Sequence, residues 1–129
     1  MSDKFTVEII SPDQTVLKLE TNEVIIPSYE GEMGILKNHI SLITFLRPGI
    51  ITIKNQEEKK YFVEEGTVEF SENNLLILTS TAKNLTTFAK ESIDKLLKEA
   101  EKKLNDTSST DKEKYLVSYK INILKEINQ

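Results

Sequence analysis

The residues that most often do chemistry are scarce in this chain. Among 129 residues there is one histidine and no cysteine. His39 closes the string Glu30-Gly31-Glu32-Met33-Gly34-Ile35-Leu36-Lys37-Asn38-His39. A histidine base needs a nucleophile within hydrogen-bond reach and a third group to orient it. Asn38 and Ser41 beside it form no such triad, so a loop histidine that bonds locally or meets a partner is expected. Structural zinc takes several His or Cys ligands, and one histidine cannot supply them, so no metal site is expected. Glu57-Glu58 and Glu64-Glu65 are the closest approach to a carboxylate pair for acid–base work. Consecutive strand residues point to opposite faces, so neither pair can converge, and both read as solvated turn and edge charges. Gly31 and Gly34 suggest a phosphate cradle, but neither a Gly-Lys-Ser/Thr run nor a helix start follows. A binding or structural part, without a reaction centre of its own, is the reading these residues leave.

Two kinds of element must position whatever binds. Residues 1 to about 80 run in period two. Phe5, Val7 and Ile9 alternate with Thr6, Glu8 and Ile10, and Val68 and Phe70 alternate with Thr67, Glu69 and Ser71. Short β-rich runs separated by Pro12-Asp13, Glu30-Gly31, Pro48-Gly49 and Asn73-Asn74 are the signature of an antiparallel sandwich or barrel. From about residue 87 the period changes. Ile93, Leu96, Leu97, Ala100 and Leu104 fall three and four apart, which makes an amphipathic helix. Polar residues 105–110 form a loop, and Thr110 with Glu113 is a capping box that opens a second helix near Asp111. That helix is apolar around much of its circumference, through Tyr115, Leu116, Val117, Tyr119, Ile121, Ile123, Leu124 and Ile127. One partner helix cannot cover so wide a stripe. The hairpin therefore packs on the sandwich, on another protein, or on each in turn. The expected fold is an all-β N-terminal sandwich or barrel, residues 1–84, followed by a C-terminal antiparallel αα-hairpin, residues 85–129.

Net charge is −4, which argues against sequence-independent nucleic-acid binding. The charge is uneven: residues 1–86 carry 8 basic and 13 acidic side chains, and residues 87–129 carry 9 and 8. An acidic sandwich suits a basic or polar partner. No apolar run approaches a bilayer span, so direct membrane insertion is not expected. The absence of cysteine fits a reducing compartment.

The order of residues in IPSYEGEMGILKNHISLITFLRPGIITI resembles the signature of the epsilon chain of rotary F-type ATP synthases, the homologue of the mitochondrial delta chain. A second stretch, FVEEGTVEFSENNLLILTSTA, resembles the family's second motif, so the likeness spans roughly residues 4–82. The hairpin matches the family in layout. Lys37-Asn38 replaces a common Pro-Gly before the histidine, and asparagine tolerates the positive φ such a turn needs. The resemblance implies a non-catalytic central-stalk rotor subunit of a proton-driven synthase. Its sandwich would couple the gamma subunit to the loops of the membrane c-ring. Its hairpin would reach the alpha–beta hexamer and regulate ATP hydrolysis. The implied docking residues are Glu30, Gly31, Glu32, Met33 and Gly34 with His39, Ile40, Ser41 and Leu42. In this reading Ile35 and Leu36 are core, and the glycines shape a protruding turn. Some relatives bind ATP on the hairpin through Ile-Asp-x-x-Arg-Ala. Ile93-Asp94 begins that pattern here, but Leu97 and Lys98 stand where arginine and alanine are needed, so no cofactor is expected. Ile93, Asp94 and Leu97 remain the candidate regulatory residues. The implied location is the cytoplasmic face of a bacterial plasma membrane, peripherally within the complex. The competing expectation is a free-standing β-sandwich adaptor that binds a protein and dimerises through its hairpin.

Overall fold

The computed structural model describes residues 3–88 and 90–127. Ten strands come first: β1 (Phe5–Ile10), β2 (Thr15–Thr21), β3 (Glu23–Ser28), β4 (Gly31–Leu36), β5 (Leu42–Leu46), β6 (Gly49–Lys54), β7 (Glu58–Val63), β8 (Gly66–Ser71), β9 (Asn74–Leu78) and β10 (Lys83–Asn84). Two helices follow, α1 (Lys90–Leu104) and α2 (Asp111–Ile127). The strands form one sheet in the order β10-β7-β6-β3-β5-β8-β9-β1-β2, with β4 on β3. The sheet curls around a core to which nine of its strands contribute; Phe5, Val7, Ile9, Val24, Ile26, Ile35, Ile51, Ile53, Val68, Phe70, Leu75 and Ile77 are among its buried members. The alternation read in β1 and β8 is the alternation seen in burial. One pairing departs from the antiparallel expectation: β1 and β9 run parallel. Nearly the whole sandwich lies between these two strands in sequence, so no tight turn forces them to oppose.

Several turns fall elsewhere than the composition suggests. Glu30-Gly31 was expected to begin a protruding turn, yet residues 31–36 are strand β4, paired in full register with β3. The turn itself is Tyr29-Glu30, and Gly31 closes it at φ 122°, a value that a side chain would make strained. Between β8 and β9 the turn is Glu72-Asn73, one residue earlier than Asn73-Asn74, with φ 50° and 60°. Both central residues positive is what a tight twisted hairpin requires. Pro48-Gly49 is no turn centre, because Gly49 already belongs to β6. A Cβ there would lie 2.5 Å from the Cβ of Pro27. Pro27 sits where the flank of β3 passes from β6, paired through Ile25, to β5, paired at Ser28. Its missing N–H costs nothing at that gap, while its carbonyl accepts from the Arg47 N–H at 2.9 Å.

The helices form as the spacing predicts. The Thr110 hydroxyl accepts the Glu113 N–H at 3.1 Å, the N-cap half of the capping box, and donates to the Glu113 carboxylate at 3.3 Å. Ala100, Val117 and Ile121 pack together with Leu97 and Leu104 as a core internal to the hairpin. The hairpin lies on the outer face of the sheet at β6 and β7. Phe62, between the inward residues Tyr61 and Val63, points outward and is sealed with Ile93 and Leu124. A three-residue apolar run is what a strand buried on both faces needs.

Candidate functional site

The outer face over β5, β8, β9 and β1 is not covered by the hairpin. On β5, Leu42 and Leu46 turn inward while Ile43 and Phe45 turn out, 72% and 55% exposed. The register sets Phe45 beside Thr67, Leu78 and Ile10 in one row, and Ile43 beside Glu69, Leu76 and Glu8 in the next. Tyr29 joins at one end, its N–H donating to the Phe45 carbonyl at 3.2 Å. Ile40 stands at the other end, 79% exposed. Among the described residues seven large apolar side chains are exposed, and Tyr29, Ile40, Ile43, Phe45 and Leu78 lie on this strip. A groove of about 680 Å³ opens along it, lined by Ile10, Tyr29, Phe45, Leu78 and neighbouring residues. Glu8, Glu65 and Glu69 edge the apolar surface with negative charge. A cluster of bare apolar side chains with a polar rim marks a place for another macromolecule.

The sequence-derived docking residues divide in space. Glu30 and Gly31 sit at the Tyr29 end of β4, where the Ser28 hydroxyl donates to the Gly31 carbonyl at 2.7 Å. Glu32 and Gly34 are exposed along β4, and Met33 is half-buried against the core. His39, Ile40, Ser41 and Leu42 lie beyond the far end of that strand. Leu42 packs inward. Ile35 is fully buried as expected, but Leu36 is exposed, since adjacent residues of one strand cannot both face the core.

His39 is held by local structure. Its Nδ1 donates to the Ile40 carbonyl at 2.7 Å, and its ring meets the Phe70 ring edge-on at 5.9 Å. Asn38 takes φ 67°, as the replaced Pro-Gly requires. Its N–H donates to the Asn73 side-chain oxygen at 2.7 Å, and the Asn73 amide returns a bond to the Asn38 side chain at 3.1 Å. This double bond pins the β4–β5 loop to the β8–β9 turn. The loop that presents Ile40 is thereby pre-shaped.

The carboxylate pairs do not converge. Glu58 pairs with Lys60 at 3.4 Å on the surface. Glu64 turns to Lys120 of α2 and is no solvated edge charge, while Glu65 is exposed at the groove. Among the described residues no group of three or more His, Cys, Asp or Glu could hold a metal ion. No helix among them is long and apolar enough to cross a membrane. On the hairpin, Ile93 is buried under the sandwich and Leu97 packs in both helical clusters; Asp94 is half-buried. Sequence reasoning missed Arg47 and placed Tyr119 only within the apolar stripe of the second helix. The Arg47 guanidinium lies 4.3 Å from the centre of the Tyr119 ring. Tyr115 packs edge-on against Tyr119 with centroids 4.9 Å apart. The Tyr115 hydroxyl donates to that of Tyr119 at 3.4 Å, which, with burial second, raises its pKa above the ordinary phenol value. That Arg47 is the one arginine among 17 basic residues was the available signal.

Fold and surface together define a two-part docking protein, a β-sandwich with an open apolar strip and a helical hairpin on its other flank. Comparison with known proteins gives the class a family. A family model described as the beta-sandwich domain of the ATP synthase delta/epsilon chain matches residues 4–85. The ATP synthase epsilon chain of Pelagibacter ubique is 48% identical, covering 99% of this chain and all of that one. The epsilon chain of Dichelobacter nodosus is 36% identical over 79% of this chain and 73% of its own. A solved chain from the Euglena gracilis mitochondrial ATP synthase, in an assembly of OSCP, F1 and c-ring, shares the fold at TM-score 0.75 and 22% identity, over 97% of this chain and 79% of that one. The chain belongs to the family of ATP synthase epsilon chains.

Proposed function

We propose that this chain is a central-stalk rotor subunit without a reaction centre of its own, coupling the gamma shaft to the membrane c-ring. The observation that carries the reading is the strip from Tyr29 through Phe45 and Ile43 to Ile40, left bare while the hairpin covers the opposite flank. In this reading the groove of Ile10, Phe45 and Leu78 grips gamma. Glu32, His39 and Ile40 rest on the ring loops, with Glu30, Gly31, Met33, Gly34, Ser41 and Leu42 shaping that surface. Acidic side chains beside the strip suit a basic or polar partner. A solved neighbour from Tetrahymena thermophila, described as mitochondrial ATP synthase central stalk and c-ring, supports the assignment through its fold, at TM-score 0.64 and 14% identity. Torque from proton flow then passes through packed surfaces, and the chain sits at the cytoplasmic face of the bacterial plasma membrane as a peripheral part of the complex.

The hairpin is the regulatory arm in this proposal, reaching the alpha–beta hexamer to restrain ATP hydrolysis. It works without bound ATP, because Ile93 and Leu97 are committed to packing.

The test is proton pumping driven by ATP in reconstituted membranes. Glu32→Lys combined with His39→Ala is expected to lower pumping while hydrolysis continues. Unchanged pumping with normal assembly removes both residues from the ring interface. Truncation after Asn84 is expected to raise hydrolysis by the assembled enzyme, and an unchanged rate removes the regulatory role. Failure of the chain to co-purify with gamma would favour a free-standing adaptor.

A further inference from the structure

The two helices of the hairpin pack chiefly on each other. The core of Ala100, Val117 and Ile121 is made wholly of helix residues. In the other helical cluster the sandwich contributes one buried side chain, Phe62; the remaining members come from the linker after β10 and from the two helices. The hairpin thus holds itself together, and its hold on the sandwich depends on other contacts.

Two charged contacts add to that hold. Arg47, between β5 and β6, lies on the ring of Tyr119. Glu64, directly after β7, pairs with Lys120, the next residue of α2. Pairing of Gly49 with Val63 sets the two sandwich segments side by side. One turn of α2 therefore meets both. A guanidinium can lie flat on an aromatic ring in a way an ammonium cannot, and Tyr115 packs edge-on against the same ring. The Glu64–Lys120 pair is partly shielded, with side chains 29% and 18% exposed.

We propose that Arg47–Tyr119 and Glu64–Lys120 are a latch that closes the hairpin on the sandwich, with Phe62 as its fixed root. Undoing the latch frees α2 from the sandwich while the two helices stay packed on each other. The latch itself stands apart from the rotor reading; only its effect on hydrolysis rests on that reading.

The chain has no cysteine, so Gln56→Cys and Thr107→Cys, both exposed, can carry a spin-label pair. Pulsed electron resonance reads the distance between sandwich and hairpin tip, and amide hydrogen exchange reads protection along α2. Arg47→Gln and Tyr119→Leu are each expected to raise the open population about 5-fold or more. Tyr119→Phe keeps the ring and leaves the distance unchanged, and Arg47→Lys falls between. High salt opens the wild type further by screening Glu64–Lys120. Unaltered protection in β1, β8 and β9 shows that the sandwich remains folded. Should Arg47→Gln disturb it, Tyr119→Leu decides from the hairpin side. The proposal is overturned if, with the sandwich intact, Tyr119→Leu leaves both the distance and α2 exchange at wild-type values. In the assembled enzyme, a hairpin that opens with no change in hydrolysis sinks the regulatory reading and leaves the latch standing.

Discussion

Phe62 and Phe45 are both outward-facing phenylalanines on strands of one sheet, and their fates are opposite. Phe62 on β7 is fully buried, covered by the hairpin of its own chain. Phe45 on β5 is half bare, beside Leu78 and Tyr29 on a groove that none of the described residues fills. The same residue type at the same kind of position is used once for intramolecular closure and once as an open contact. The difference lies in what the chain brings over each strand, because the hairpin packs on the β6–β7 side of the sheet. A sheet with two apolar outer regions and one covering layer leaves the second region bare.

The largest effects separate the two phenylalanines. Phe62→Ala should cost about 3–5 kcal/mol by leaving a cavity under the hairpin, read by urea unfolding of the isolated chain. Phe45→Ala should change the same measurement by less than about 0.5 kcal/mol, yet weaken co-assembly with the rest of the complex. Equal losses of stability for both would erase the distinction. A smaller effect sharpens it at the loop end of the strip. Asn38→Ala removes the side-chain acceptor of the Asn73 amide, keeps the backbone N–H bond, and strains a φ of 67°, and should cost about 1–2 kcal/mol. Asn38→Gly should recover the part due to φ alone, and thermal unfolding of the pair measures the split. Smallest is Thr110→Ala, which removes the α2 cap for about 1 kcal/mol. It should loosen hydrogen exchange in the first turn of α2 and leave the strip's partner affinity unchanged.

Much of this architecture was legible before any coordinates. Alternation in β1 and β8 marked the core, the three-four spacing marked α1, and Thr110-x-x-Glu113 marked the start of α2. The asparagine at 38 was read as tolerating positive φ and does adopt it. The errors have local causes. Composition marks turn-prone residues but not the register of the pairing around them, so Gly31 and Gly49 proved to be strand residues and the β8–β9 turn moved by one position. Leu36 was read as core because apolarity alone does not say which face a residue takes. The acids at 57–58 and 64–65 were rightly denied convergence, but Glu64 found Lys120, 56 residues away along the chain.

The sequence by itself determined which segments alternate, which spiral, where the second helix is capped and which family the pattern resembles. These are properties of neighbours along the chain, written in side-chain size, polarity and spacing. Only the tertiary structure decided that Phe62 is covered and Phe45 is not, that Arg47 reaches Tyr119, and that Glu64 meets Lys120. Those outcomes depend on which distant surfaces the curled sheet brings together, and no local pattern encodes that.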